Sequence, residues 1–515
     1  MKALMSYTSS VLEWLGRYVG LLVFGILFVT ALLIRTTMMT GYFEWAEISS
    51  VPWYVYISGG GIILLLTLLW RKILKELTTK QIFIFFSVCF MIFGLLLIFL
   101  TSFAGRDDAG TVFKGAVQFN ADNFSLIKPG AYFYRYPHQL GLLSFERLVL
   151  YLIPLPVISV FYVLNLGMVI GMNYTTWKIT DELFTKPLVS RLAVIVSFGF
   201  LPLVFNIMFA YGLMYGLFFS SFAILFFLRY LKCGKARNAI LSVVMLSLAY
   251  WVRSNNIILI IALSGILILM TLREKRYRYL LLVLALFAFP MSLHKATTSY
   301  YEITTHQKIP GTPQIAWLAM GLQDKPDSKR MPGWYTGYVR DIYAKKKGNI
   351  EKIEKSANHL FDRRVQYLLA HPDEASWFFK TKFISSWIEG SFQSIWNGPS
   401  KDKFQPLWNR FATSIYHDGT LHLFFVTYMQ GYLLVLYLGG AFYYAFTYKR
   451  MGDGATLGLY AFLYLFGGIL FHLISETKSQ YTLPYIYLQI PMIAAGYNHM
   501  TQMLSRYLKN MQKSF

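Results

Sequence analysis

Cysteine is almost absent from this chain: two residues in 515, Cys89 in an apolar run and Cys233 in a basic turn. Their settings rule out a disulfide framework as the source of stability. Acidic residues are also scarce, 25 against 48 Lys and Arg, and all charged residues together make up only 14%. Several reaction classes lack their signatures. There is no His-Glu-x-x-His, no paired Cys-x-x-Cys, no P-loop and no glycine-rich dinucleotide fingerprint, and His417 with His422 is a weak metal signal. ATP-driven and redox chemistry are therefore disfavoured, and no dedicated metal cage is visible, although a divalent cation stays open.

What is abundant is apolar: 56% hydrophobic and 18% aromatic residues, with a positive mean hydropathy. A soluble domain has neither. The expected class is an all-α integral membrane protein. Runs long enough to cross about 30 Å of hydrocarbon as helices occur near 18–36, 54–70, 82–103, 148–172, 189–209, 212–230, 238–252, 255–272, 279–295, 421–447, 455–474 and 481–500, about twelve spans. The first is read as a retained span and not as a cleaved leader.

Charge orients these spans. With the N-terminus inside, the inner turns hold Arg71, Lys72, Lys75 and Lys80, Lys178, Lys186 and Arg191, Arg229, Lys232, Lys235 and Arg237, Arg273, Lys275, Arg276 and Arg278, and Lys449 with Arg450. The short outer turns hold only the cations Arg35, Arg253 and Lys478. This asymmetry makes both termini cytoplasmic and sets 104–147 and 296–420 outside. The net charge of +23 then reflects orientation and anionic headgroups, with no need of nucleic acid. Three parts follow: a transmembrane module over 1–295 with its first large outer loop at 104–147, a mainly helical extracytoplasmic domain over 296–420, and a second transmembrane module over 421–515. Lys352–Leu369 and Glu374–Phe392 read as helices of the outer domain, and its prolines, Pro326 among them, break its first third into loops. The aromatic face of the second helix, with Trp377, Phe378, Phe383 and Trp387, is expected to pack on the membrane part.

Ionisable groups gather at the outer rim. Asp107 and Asp108 open an amphipathic pattern through Val112, Phe113, Ala116, Val117 and Phe119, where Asp108 is also a suitable N-cap. Tyr136, His138 and Gln139 follow in a proline turn, Arg253 ends two short spans, and Glu476, Lys478 and Tyr481 occupy the last outer turn. Gly59, Gly60 and Gly61 suggest close helix packing, and Asn165, Asn173 and Asn206 interhelical hydrogen bonds. A transporter commonly places its ionisable groups near the midplane, so an outward-facing site is the better reading. A transferase there needs a lipid-carried donor. A departing phosphate of low basicity requires only one carboxylate as base and one or two cations, and Asp107 or Asp108 with Arg253 and Lys478 supply that set.

The order of these elements resembles the bacterial GT-C-fold glycosyltransferases, including the protein O-mannosyltransferase-like group. The resemblance rests on Asp107-Asp108 with Ala116, on Tyr136-Pro-His-Gln-Leu-Gly141, on Pro313-Gln-Ile-Ala-Trp-Leu-Ala-Met-Gly321, and on Phe471-His-Leu-Ile-Ser-Glu-Thr-Lys-Ser-Gln-Tyr-Thr-Leu-Pro484. It spans nearly the whole chain. It implies a GT-C-like fold, a polyprenyl-phosphate sugar donor, a cell-envelope glycopolymer acceptor such as a teichoic acid or wall polysaccharide, and a site on the outer face of a bacterial plasma membrane. The catalytic acid of the family corresponds to Asp108, with Asp107 second. Two departures stand out: relatives often have a single acid there, and Gln480 stands where an arginine often precedes the tyrosine. Substrate contacts are expected from Tyr136, His138, Gln139, Arg253, Glu476, Lys478 and Tyr481. A flippase or transporter of lipid-linked glycans, and a ligase using a lipid-diphosphate donor, remain the alternatives.

Overall fold

The computed structural model describes residues 2–41, 43–72, 75–101, 105–324, 330–399, 409–448 and 454–514. Phe103, Pro326, Lys449 and Arg450, which entered the reading of the sequence, lie outside them. The described chain is almost entirely helical, as an all-α membrane protein requires.

Helix α1 (Lys2–Leu33) runs into the strands β1 (Ile34–Met38) and β2 (Ala46–Ser50), which pair antiparallel from Ile34 opposite Ser50 to Met38 opposite Ala46. There follow α2 (Trp53–Lys72), α3 (Thr79–Leu100), α4 (Asp107–Asn120), α5 (Leu140–Leu152), α6 (Ser159–Leu183), α7 (Pro187–Gly199), α8 (Gly212–Cys233), α9 (Ala236–Val252), α10 (Ile257–Glu274) and α11 (Arg278–Thr305). The middle segment contributes α12 (Ile315–Gly321), α13 (Tyr338–Lys345), α14 (Ile350–Ala370) and α15 (Pro372–Trp387). The chain ends in α16 (Thr420–Phe442), α17 (Gly454–Ile474), α18 (Ser479–Tyr487) and α19 (Ile490–Ser514).

Among the described residues eight helices are long and apolar enough to cross a membrane. They correspond to eight of the twelve expected spans. The run at 189–209 is instead a pair bent by 48° between Gly199 and Pro202, and that at 238–252 is the 17-residue α9. The remaining two differ more. Pro154 and Pro156 divide the 148–172 run into α5 and α6, because a proline withholds an N–H and obstructs the preceding turn. The 481–500 run divides between α18 and α19, with Pro484 and Pro491 on either side of the break.

One continuous apolar core joins these helices, and it reaches into the middle segment through Ile384, Trp387, Ile388, Phe392 and Ile395. Trp387 meets Tyr485 with ring centroids 5.9 Å apart, whereas Phe378 is buried with Leu322 and Leu368 inside the middle segment. The aromatic face is thus shared between two cores. Of the three adjacent glycines only Gly59 sits at a close crossing, where a Cβ would lie 3.3 Å from Gly431 O of α16; Gly60 and Gly61 face open space. The buried asparagines do link segments. Asn165 Nδ2 donates to Ile207 O at 3.0 Å, Tyr487 donates to Asn173 Oδ1 at 2.9 Å, and Asn397 Nδ2 donates to Asn206 Oδ1 at 3.2 Å.

Candidate active site

Helix α4 starts two residues earlier than the capping argument expects. Arg106 is its N-cap, without a side-chain cap bond, and Asp107 and Asp108 both lie in the first turn. Asp108 is therefore not the cap. Asp107 has a φ of +44°, a left-handed conformation that aspartate tolerates better than most residues. The two neighbouring carboxylates diverge. Asp107 is 53% exposed and pairs with Arg106 at 3.5 Å. The Arg106 guanidinium stacks 3.7 Å from the Trp396 ring, donates to Trp396 O, and donates to Gly41 O at 2.8 Å.

Asp108 turns the other way. It is open to solvent on one side, is hydrogen-bonded to the Tyr132 hydroxyl, and lies within electrostatic reach of Lys478, Asp107 and Glu44. Burial pushes its pKa above the usual carboxylate value; Lys478 and the Tyr132 bond oppose this, and Asp107 and Glu44 add to it.

The opposite wall is the turn between α17 and α18. Lys478 Nζ pairs with Glu44 Oε1 at 2.8 Å, and the Tyr481 hydroxyl donates to Glu476 Oε1 at 3.1 Å. Two cations share the Tyr481 ring: Lys478 at 5.3 Å from its centroid and Arg253 at 5.5 Å. Burial raises the Glu476 pKa to about 7, with Lys478 pulling it down and Glu44 pushing it up. Burial also works against the Lys478 charge, but Glu44, Glu476 and Asp108 outweigh it and leave its pKa above the usual lysine value. Arg253 makes no ion pair among the described residues, so its charge is uncommitted.

This turn is held from behind. Thr477 N donates to Gly333 O at 2.9 Å, Thr477 Oγ1 to Ser386 Oγ at 3.0 Å, and Ser479 Oγ to Glu389 Oε2 at 2.8 Å. Lys382 of α15, only 1% exposed, donates to Gly321 O at 2.5 Å, Leu473 O at 2.9 Å and Ser475 O at 2.8 Å. A cation at the carboxyl ends of α12 and α17 satisfies carbonyls that no helical N–H can reach.

The proline turn forms the third wall. Gln139 Nε2 donates to Tyr211 Oη at 2.7 Å, Tyr211 shares a hydroxyl hydrogen bond with Tyr132, and Tyr136 shares one with Tyr335. Trp317 of α12 packs on both Tyr136 and His138, at 6.0 and 5.7 Å between centroids. The Gly321 end of the same helix lies against the Ser475–Glu476 peptide.

Segments singled out separately along the sequence therefore converge. Asp108, Tyr136, Gln139, Arg253, Glu476, Lys478 and Tyr481 belong to one connected group, Asp107 points away from it, and His138 sits to one side near His294, where burial and that second imidazole bring its pKa down to about 4. Sequence reasoning missed Glu44, Tyr132, Tyr211, Tyr335 and Lys382. Glu44 had a visible signal, being an acid in a short outer turn where only cations were sought. Lys382 had one too, as a lysine inside an aromatic helix face. Among the described residues no set of three or more His, Cys, Asp or Glu side chains is arranged to hold a metal ion. The arrangement offers one accessible carboxylate of raised pKa within electrostatic reach of Lys478, with Arg253 on the same tyrosine ring as that lysine. Comparison with known protein families and with curated proteins finds no match for this chain.

Proposed function

We propose that the chain is an integral-membrane glycosyltransferase of the GT-C type, moving a sugar from a polyprenyl-phosphate donor to a cell-envelope glycopolymer on the outer face of a bacterial plasma membrane. The observation that carries this reading is the Asp108 carboxylate within electrostatic reach of Lys478, with Arg253 on the same tyrosine ring as that lysine.

In this reading Asp108 accepts the proton of the acceptor hydroxyl, whose oxygen attacks the anomeric carbon of the donor. The bond from that carbon to the phosphate oxygen breaks, and its electron pair leaves with the lipid phosphate. Because Glu44 already engages Lys478, Arg253 receives the phosphate first and Lys478 supports the growing charge. No strong general acid is needed for such a leaving group. Tyr136, Gln139 and Tyr481 line the site. The segment 296–420, which holds the Glu476–Lys478 turn from behind, selects the acceptor.

The test is turnover of a panel of short-chain polyprenyl-phosphate sugars in detergent by the wild type, Asp107→Asn and Asp108→Asn. One donor should be consumed, with a loss of about 100-fold or more in Asp108→Asn and little change in Asp107→Asn. Loss in Asp107→Asn alone would reassign the base. Donor binding without release of lipid phosphate, together with lipid movement in vesicles, would favour a flippase.

A further inference from the structure

A concavity is built on residues adjoining the candidate active site. It is a cleft of about 450 Å3, within the range of roughly 300–1,000 Å3 typical of small-ligand sites. The β1–β2 hairpin contributes Trp45 and Glu47, the chain after α12 contributes Asp324 and Arg330, and α15 contributes Trp377 and Thr381. Trp45 and Thr381 are the chain neighbours of Glu44 and Lys382, so the cleft and the candidate active site are built on adjoining residues of the same two elements.

The chemistry of the lining is specific. Trp377 is 47% exposed, and among the described residues its indole makes no ring contact and no hydrogen bond. Phe378 and Trp387 of the same helix are buried, so Trp377 is left open where packing could have covered it. Two of the polar groups around it are anchored. Asp324 is held by Arg364 at 3.5 Å, and the Arg330 guanidinium donates to Tyr335 O. An open indole with carboxylate, guanidinium and hydroxyl groups suits a pyranose ring, whose C–H face stacks on the aromatic surface while its hydroxyls meet the fixed polar groups. Glu47 and Asp324 stand against Arg330 and the Arg364 that pairs with Asp324, so the cleft is balanced in charge and offers a polyanion no excess of cations.

We infer that this cleft binds a neutral oligosaccharide, the stretch of the acceptor chain adjacent to the unit that receives the sugar. The assignment to the acceptor rests on the transferase reading; the saccharide site itself does not. It also narrows the acceptor, because a glycerol-phosphate backbone finds no excess of cations in the cleft.

The experiment is saturation-transfer NMR on the full chain in nanodiscs, with neutral glucose and N-acetylglucosamine tetrasaccharides as probes and a glycerol-phosphate tetramer as the polyanionic probe. A neutral probe should bind, the polyanion should not, and Trp377→Ala should weaken binding by about fivefold or more. Glu47→Gln, a change on an exposed strand position, should weaken the neutral probe and not abolish folding. Where a donor is turned over, Trp377→Ala should raise KM for a long acceptor and leave kcat with a monosaccharide acceptor unchanged. No binding of either neutral probe, equal binding by wild type and Trp377→Ala, or preference for the polyanion would overturn the inference. Saccharide binding without turnover of any donor would keep the cleft and discard the transferase reading; turnover without binding would do the reverse.

Discussion

Lys478 Nζ and Glu44 Oε1 lie 2.8 Å apart, across 434 positions of sequence. The pair joins the β1–β2 hairpin to the turn before α18, and it places a carboxylate where an anionic donor would seek the lysine. Neutralising Glu44 removes that competition and removes a negative neighbour of Asp108 and Glu476. Glu44→Gln, which keeps an acceptor for the ammonium, should therefore lower donor KM by about threefold, the equivalent of ~0.7 kcal/mol. It should also shift the acid limb of the kcat/KM profile to lower pH, because Asp108 then ionises more readily. A profile displaced to higher pH would contradict the arrangement.

Glu476 gives stability a pH dependence of known sign. Its pKa is raised from 4.5 to about 7, chiefly by burial. Between those values the unfolded chain is ionised and the native chain holds the proton, so this group stabilises the fold most below 4.5 and loses the effect as pH rises through about 7. The melting temperature in detergent should decline over that interval. Glu476→Gln, neutral at every pH, should flatten the decline; Asp108, whose pKa is also raised, leaves a remainder.

Lys382 acts with the opposite sign. Burial brings its pKa from 10.5 down to about 7, although the three carbonyls around it need three N–H donors and so favour the ammonium. Above about 7 the native lysine gives up its proton while the unfolded one keeps it to 10.5, so stability from this group rises with pH across that window. Lys382→Met should abolish the rise. It also strands Gly321 O, Leu473 O and Ser475 O, with a loss of about 1–3 kcal/mol in stability and a fall in turnover as the Glu476–Lys478 turn loosens.

How much of this was legible in the sequence depended on distance along the chain. Apolar runs, the amphipathic pattern of α4, and α14 and α15 follow local periodicity and were readable. So were the segments around Asp108, Tyr136 and Lys478, since each carries its polar residues at a span end; the segment around Trp317 was picked out only by the resemblance. The hairpin was not: β1 and β2 occupy what looked like a simple turn between α1 and α2, and their pairing is fixed partly by Thr36 N donating to Ile388 O, far along the chain. That the adjacent Asp107 and Asp108 point in different directions is expected of neighbouring residues, but the positive φ of Asp107 is not a local signal. The breaks at Pro154 and Pro156 were visible as prolines but were overridden by a length criterion for spans. The contacts of Glu44 and Lys382 are tertiary, and no local period encodes them.

The close approach of Gly321 to the Ser475–Glu476 peptide supplies the most direct test of how the site is held. A methyl group on Gly321 would meet Ser475 C and Glu476 N, which are main-chain atoms and cannot swing aside as a side-chain end would. Gly321→Ala must therefore displace either α12 or the turn bearing Glu476 and Lys478, at about 1–3 kcal/mol of strain. Turnover should fall further than the folded fraction. Gly60→Ala in α2 is the matched control, since nothing lies within 4 Å of its added carbon, and an alanine inside a helix should leave stability unchanged or raise it by ~0.5–1 kcal/mol. Equal turnover by the two variants would mean that α12 does not position the turn.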